Sequence, residues 1–381
     1  MPTPLPDPTQ VLLEPPDAGE VADLSRAIRS AVAGDGELTE TQRLLLEAVL
    51  PAMTGYPAVL DGEPLGPEGF GTVLARRNLG FRTRIVQTMV LLALLARPIP
   101  PALADRVAAY AREACVEEGM LDVARRLADG SLGLAAVDFE RNGYTATWHP
   151  EDAAVLHTSR QLESAWQESV ADPGLARSWA ALEDLPDGTL GRRITEFYRA
   201  RGFTYPGLPG SAPPLLAQHD WVHVVADYGT TVESELEVFA FIARANDDMH
   251  AFSLLAMVVS LFETGYLRSG LGLFEYSPGH LAGSGMAARV ADAMRRGALC
   301  RGSIDFLRTD WFALADRSVE EVRAHFGVVP KAPSALAGGS VGPWEPGGIS
   351  PFQQDAGAEL ARQRGCPYDA YGASASPVIP G

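Results

Sequence analysis

The chain has 381 residues, 46% of them hydrophobic, enough to bury one large core or two smaller ones. A net charge of −17 argues against nucleic acid or an anionic membrane surface as a broad electrostatic partner. Three cysteines, Cys115, Cys300 and Cys366, are odd in number and lack metal spacing, so reduced thiols in a cytoplasmic protein are expected. The first 25 residues hold no Arg or Lys, and neither a secretory signal nor a mitochondrial presequence is apparent. The longest apolar runs, Ile85–Ala96 and Ala251–Phe262, are too short to span a bilayer, which leaves peripheral membrane contact. Lys331 is the single lysine among many arginines, a bias we read as genomic composition.

Residues 1–20 are proline-rich and acidic and read as a flexible lead. Helical spacing begins with Leu24, Ile28 and Val32, and Thr39 is placed to cap a helix over Glu40–Met53. Pro57–Gly71 is a Gly/Pro loop. Arg82–Arg97 reads as the central helix of an N-terminal bundle, since Gln87 and Thr88 are the only polar residues between Ile85 and Ala96. After Pro98, Pro100 and Pro101, an Ala-rich helix is expected over Ala104–Leu127. Tyr144–Trp148 is the best strand-like stretch, and His149 and His157 are isolated, suited to surface or capping roles. Helices are expected at Ala153–Val170, Leu175–Glu183 and Arg192–Arg201, with a loop over Pro206–Pro214.

The run His219-Asp220-Trp221-Val222-His223, followed after eleven residues by Glu235, is the most informative stretch. A four-residue helical step turns about 400°, so the two imidazoles share one face, as two metal ligands on one helix must. Asp220 lies about 100° from His219, within reach of that face. Asp227 falls in the same arc, while Trp221, Val222, Val224 and Val225 cover the rest, so this helix is buried nearly all round. Gly229 is suited to end it and Thr230 to cap the next. On that second helix Glu235 lies inside the apolar stripe of Val232, Leu236, Phe239 and Ile242, whereas Glu233 and Glu237 lie on the other side and are expected to be solvated. A helical hairpin would turn Glu235 toward both histidines.

This pattern resembles the signature of the Coq-four family of ubiquinone-biosynthesis proteins. Leu185–Gly191 followed by Phe197-Tyr198, then Asp310-Trp311, Val319–Arg323 and Gly327–Pro330, are similar to further segments of that family in the same order. The resemblance covers roughly 175–330. The lead-in Leu215-Leu216-Ala217-Gln218 departs from the family's Arg-containing one. The resemblance implies an all-α multi-helix bundle and a zinc-type divalent site built from His219, Asp220, His223 and Glu235. It also implies action on a prenylated hydroxybenzoate whose ring carboxyl is replaced by a hydroxyl, a hydrophobic channel for the isoprenoid tail, and association with membranes and other biosynthetic proteins.

Beyond the hairpin, Asn246–His250 is a polar turn read as an N-cap cluster for a helix over Met249–Tyr266. Ser269–Pro278 is Gly-rich but lacks phosphate-cradle chemistry. Ser284–Arg301 carries Arg289, Arg295, Arg296 and Arg301, which are suited to solvent or to an anion near the metal, and Asp316–Phe326 holds a last helix. From Lys331 on, Gly, Pro and Ser dominate except around Gln353–Gln363, and a mobile or draped tail is expected.

The domains expected are a flexible lead at 1–20, an N-terminal helical region at 21–130, a metal-binding helical domain at 131–330 and a tail at 331–381. The expected activity is that of a metal-dependent enzyme of a quinone-type pathway in which His219, Asp220, His223 and Glu235 are both ligands and catalytic groups. Zinc is the first expectation for the ion, with iron or manganese suiting the same donors. Zinc alone offers no redox chemistry, so ring hydroxylation would require an oxygen-activating metal or direct reaction with oxygen. Asp220 is alternatively an orienting group or general base beside a metal-held water. The partners expected are an aromatic or prenylated small molecule and further copies of the chain as a homo-oligomer. A non-catalytic isoprenoid- or quinone-binding scaffold with a structural metal, and an enzyme of specialised metabolism using the same site, are the alternatives. A His-Asp phosphohydrolase ranks last, because His157 is a poor match for the additional histidine it needs.

Overall fold

The computed structural model describes residues 15–34, 36–117, 119–130, 144–159, 171–266 and 279–371. The fold is all-α, as expected; among the described residues there is no strand, only one isolated bridge between Thr189 and Ser318. Of the lead expected over 1–20, residues 1–14 lie outside the described residues and a helix begins at Ala18; the Gly-rich stretch at 269–278 also lies outside them. No helix among the described residues is long and apolar enough to cross a membrane.

The chain divides into two compact units that interleave in sequence: Met1–Thr147 with Asp247–Arg295, and Trp148–Asn246 with Arg296–Gly381.

The first unit is built on α1 (Ala18–Ala33), α2 (Glu40–Thr54), α3 (Pro67–Leu74), α4 (Leu79–Leu94), α5 (Pro101–Glu113) and α6 (Met120–Ala128). Thr39 caps α2 with a reciprocal Gln42 bond, as its position suggested. In α4 every residue from Ile85 to Leu94 is buried, Gln87 and Thr88 included, so it is the central helix of this unit. The helix expected over Ala104–Leu127 is two, because the chain turns at Cys115 in a left-handed conformation (φ 52°). Tyr144–Thr147 is a 3₁₀ turn and not a strand. A strand needs a neighbour's ladder, and Tyr144 N–H instead donates to the Ser253 hydroxyl at 2.8 Å. Asp248 caps the turn that leads into the helix Phe252–Val258, the capping role expected of that polar cluster.

The second unit carries α7 (Pro173–Ala181), α8 (Leu190–Arg201), α9 (Pro214–Ala226) and α10 (Val232–Ala245). Of the helix expected over Ala153–Val170, a 3₁₀ turn at Pro150–Leu156 is seen, while 160–170 lies outside the described residues. We number Phe252–Val258 as α11, followed by α12 (Met286–Ala298), α13 (Val319–Phe326), α14 (Pro333–Ala337) and α15 (Pro351–Arg364). The stretch 331–371 is not a loose tail. Helix α15 lies so close along α8 that a Cβ on Gly357 would sit 2.2 Å from the Ala200 carbonyl oxygen. Glycine is required there for backbone-to-backbone approach, a constraint that composition alone does not reveal.

Two expectations about charge are also corrected. Arg296 is buried, its Nε donating to Val329 O at 2.8 Å and its guanidinium lying over Tyr228, and Arg289 is buried too. Glu237 is fully buried on α10, which is covered on nearly all sides, while Glu233 is half-buried. Lys331, the only lysine, is buried over the Tyr228 ring at 5.2 Å and within the field of Glu237.

Candidate metal centre

The site is built on the hairpin of α9 and α10. Helix α9 begins with Pro214 at its first position, where no intrahelical N–H is lost. It ends at Asp227, which adopts φ 64° and ψ 49°. Asp227 therefore takes the terminating role expected of Gly229, and its carboxylate is directed away from the histidines to Arg323 at 3.7 Å and Lys331 at 3.6 Å. Arg323 also donates to the Val224 and Val225 carbonyls, satisfying the helix end. The cap of α10 is Thr231, one residue beyond the position expected, and Thr230 is engaged elsewhere.

His219, His223 and Glu235 offer donor atoms that all lie within 4.8 Å of one another. His223 Nε2 is 3.4 Å from Glu235 Oε1, and His219 Nε2 is 3.6 Å from Glu235 Oε2. Both separations exceed the usual range for a direct N–H···O bond, about 2.7–3.2 Å. Ligands at about 2.0–2.2 Å from a four-coordinate ion stand about 3.3–3.6 Å apart, which is the spacing seen.

The rings are held by their other nitrogens. His219 Nδ1–H donates to Leu216 O, and His223 Nδ1–H to Tyr228 O at 3.3 Å. Backbone carbonyls on Nδ1 fix the tautomer of each neutral ring and make Nε2 its ligating position. His223 is fully buried and its Nε2 has no hydrogen-bond partner. A buried polar atom without a partner is costly unless something absent from the protein completes it. Phe197 stacks on the His223 ring at 5.6 Å and Phe239 lies tilted against His219 at 5.1 Å, giving both imidazoles apolar walls.

Asp220 stands apart from this triad. Its Oδ2 accepts the Tyr198 phenol at 2.5 Å, and its Oδ1 lies 3.5 Å from His219 Nε2. The structure thus brings three of the four expected residues to one point and leaves Asp220 beside them. Burial raises the Asp220 carboxyl above its ordinary value, against the pull of His219, Tyr198 and His223. Burial, with the Asp220 charge, pushes Tyr198 well up, so its proton stays on the phenol. Burial opposes charge on His219, but Asp220 and Glu235 outweigh it and raise the ring to about 9. Burial likewise opposes charge on Glu235, yet His223 and His219 bring it down to about 2. The field of the site therefore favours an anionic Glu235 among cations, proton or metal.

Tyr198 and Arg201 border the cluster and were not assigned to it by sequence reasoning. Arg201 is fully buried, donates to Thr230 Oγ1 at 2.8 Å and lies 3.7 Å over the Phe197 ring. Burial lowers its guanidinium to about 9, while the charges of Asp220, Tyr368 and Glu235 support its ionised form. The available signal was spacing on α8: Phe197, Tyr198 and Arg201 bracket one turn, but nothing local says that this turn faces α9.

Neither a family model nor a curated protein matches the chain. Among solved structures, the chain is similar to one from Nostoc punctiforme provisionally described as a ubiquinone biosynthesis protein. The identity is 20%, the match covers 66% of this chain and 98% of that one, and the TM-score is 0.30. A superposition that loose bears on neither activity nor ligand.

Proposed function

We propose that the protein is a metal-dependent enzyme acting on the ring of an aromatic acid or quinone-type intermediate. His219, His223 and Glu235 are its metal ligands and Asp220 its proton-handling group. The observation that carries the reading is the buried, unpartnered Nε2 of His223, 3.4 Å from the Glu235 carboxylate. Three protein ligands leave a coordination position open, the arrangement of catalytic rather than closed structural sites. A divalent ion held there would supply Lewis-acid stabilisation to a phenolate or carboxylate oxygen. The chain's own residues define the rest. Asp220, its Oδ2 held by Tyr198, presents Oδ1 to take or return a proton, while Phe197 and Phe239 limit access of water to the imidazoles. The substrate class, a hydroxybenzoate with or without a prenyl chain undergoing decarboxylation and hydroxylation, rests on the motif resemblance of residues 175–330. Zinc, iron and manganese all suit two imidazoles and a carboxylate.

The test is elemental analysis of the purified protein beside the His223→Ala and Glu235→Ala variants, with turnover of a 4-hydroxybenzoate followed in parallel. About one ion per wild-type chain, lost together with turnover in both variants, is expected. Full turnover by Glu235→Ala would sink the assignment. The deep burial of His223 and Glu235 favours one second reading, a structural metal in a non-catalytic quinone- or isoprenoid-binding scaffold. Metal retention and a co-purified lipid, with no turnover of any aromatic acid, would select it.

A further inference from the structure

The segment that follows the motif-bearing region closes around the turn of the metal hairpin. Gly229 N–H donates to Val341 O at 3.0 Å and Thr230 N–H to Gly348 O at 2.8 Å. The Thr230 hydroxyl donates to Gln353 Oε1 at 2.5 Å. Arg201 grips the same segment from α8, its Nη2 donating to Pro343 O at 2.9 Å and Gly348 O at 3.2 Å, while its Nε reaches Thr230. Trp344 sets its edge against Phe197 at 6.3 Å. Contact between the two backbones is so close that a Cβ on Gly229 would lie 2.7 Å from Gly348 Cα.

The turn thus clamped carries Tyr228, whose carbonyl accepts the Nδ1 proton of His223. That carbonyl decides which imidazole nitrogen is free for a ligand. The stacking partner of His223, Phe197, lies under Arg201, the residue that grips the segment. Both restraints on the His223 ring therefore end on residues 341–353.

We propose that residues 341–353 are a positioning strap for the metal centre: through Arg201 and Thr230 they hold the Tyr228 carbonyl in place and so keep His223 Nε2 free and aimed at Glu235. The proposal rests on the reading of the site given above. Partners that orient a ligating histidine typically change metal affinity about 10–100-fold when lost.

Two variants separate the strap from the ligands. Thr230→Val removes the hydroxyl that links Arg201 to Gln353 at nearly constant volume, and Gly229→Ala pushes the turn and strap apart. Ile85→Val, in the core of the first unit, serves as a control that lowers stability through packing alone. Co²⁺ binding is titrated by its visible d–d absorption alongside the melting temperature. Both strap variants are expected to bind Co²⁺ about 10–100-fold more weakly with an altered band, while the control binds like the wild type. Wild-type affinity in both strap variants, or a loss matched by the control, overturns the strap. A wild-type protein that takes up no Co²⁺ overturns the metal reading instead. The strap is then decided by ¹⁵N chemical shifts of His223 in the metal-free protein. A single Nδ1–H tautomer that becomes mixed in the variants supports it, and an unchanged tautomer overturns it.

Discussion

Helices α4 and α9 are both buried on nearly every side, and both carry polar residues inside that burial. In the first unit such groups end on carbonyls: Thr88 donates to Arg84 O at 2.9 Å and Arg82 Nη1 to Ala114 O at 2.8 Å, while Gln42 of α2 donates to Leu92 O of α4 at 3.0 Å. On α9 the histidines begin the same way, with each Nδ1 on a carbonyl, but each ring keeps a second nitrogen turned toward Glu235. On α4 these bonds serve the backbone, though Arg82 Nε is itself buried without a hydrogen-bond partner. On α9 valence is left over after the backbone is complete. What marks the site is that the two left-over imidazole nitrogens converge on one carboxylate.

The contrast is broken most severely by emptying each helix of its own function. Leu91→Ala in α4 should cost about 2–5 kcal/mol of stability by denaturant unfolding, with metal content per folded chain unchanged. His223→Ala should do the reverse, abolishing the ion while the metal-free protein keeps its fold. If Leu91→Ala lost metal from still-folded protein, the two regions would not be separable.

Tyr198→Phe sharpens the difference between Asp220 and the triad. Removing a hydrogen bond to a buried carboxylate should cost about 1.5–3 kcal/mol and raise the Asp220 carboxyl further, while leaving about one ion bound. Loss of the ion in this variant would return Asp220 to the ligand set.

The smallest expected effect is on pH. In the metal-free protein, His219 raised from 6.5 to about 9 stabilises fully below 6.5 and loses that contribution as pH rises through about 9. Asp220, raised by burial, weakens stability in the same upward direction. Glu235, lowered from 4.5 to about 2, stabilises above 4.5 and loses its contribution as pH falls through about 2. Metal-free protein should therefore be most stable between 4.5 and 6.5 as far as this site is concerned. Metal affinity should rise with pH up to about 9, because His219 must release its proton to bind. Parallel slopes in thermal melts with and without added Zn²⁺ would contradict that assignment.

Much of this was legible in the residues themselves. Helical period placed His219 and His223 on one face, the apolar stripe of α10 singled out Glu235 from Glu233, and Gly229-Thr230 located the turn, although the residues that end and cap the helices are Asp227 and Thr231. The all-α class followed from the same periodicity. Tertiary structure decided what covers each face. It gave Asp220 to Tyr198, buried Glu237 and Lys331, ended α9 at Asp227 because Arg323 and Lys331 receive its carboxylate, and laid 331–371 against α8 and the hairpin turn. The physical reason is range. A residue's direction on its own helix repeats every 3.6 positions and is written locally, whereas the group that meets it there arrives from elsewhere in the chain and leaves no local pattern.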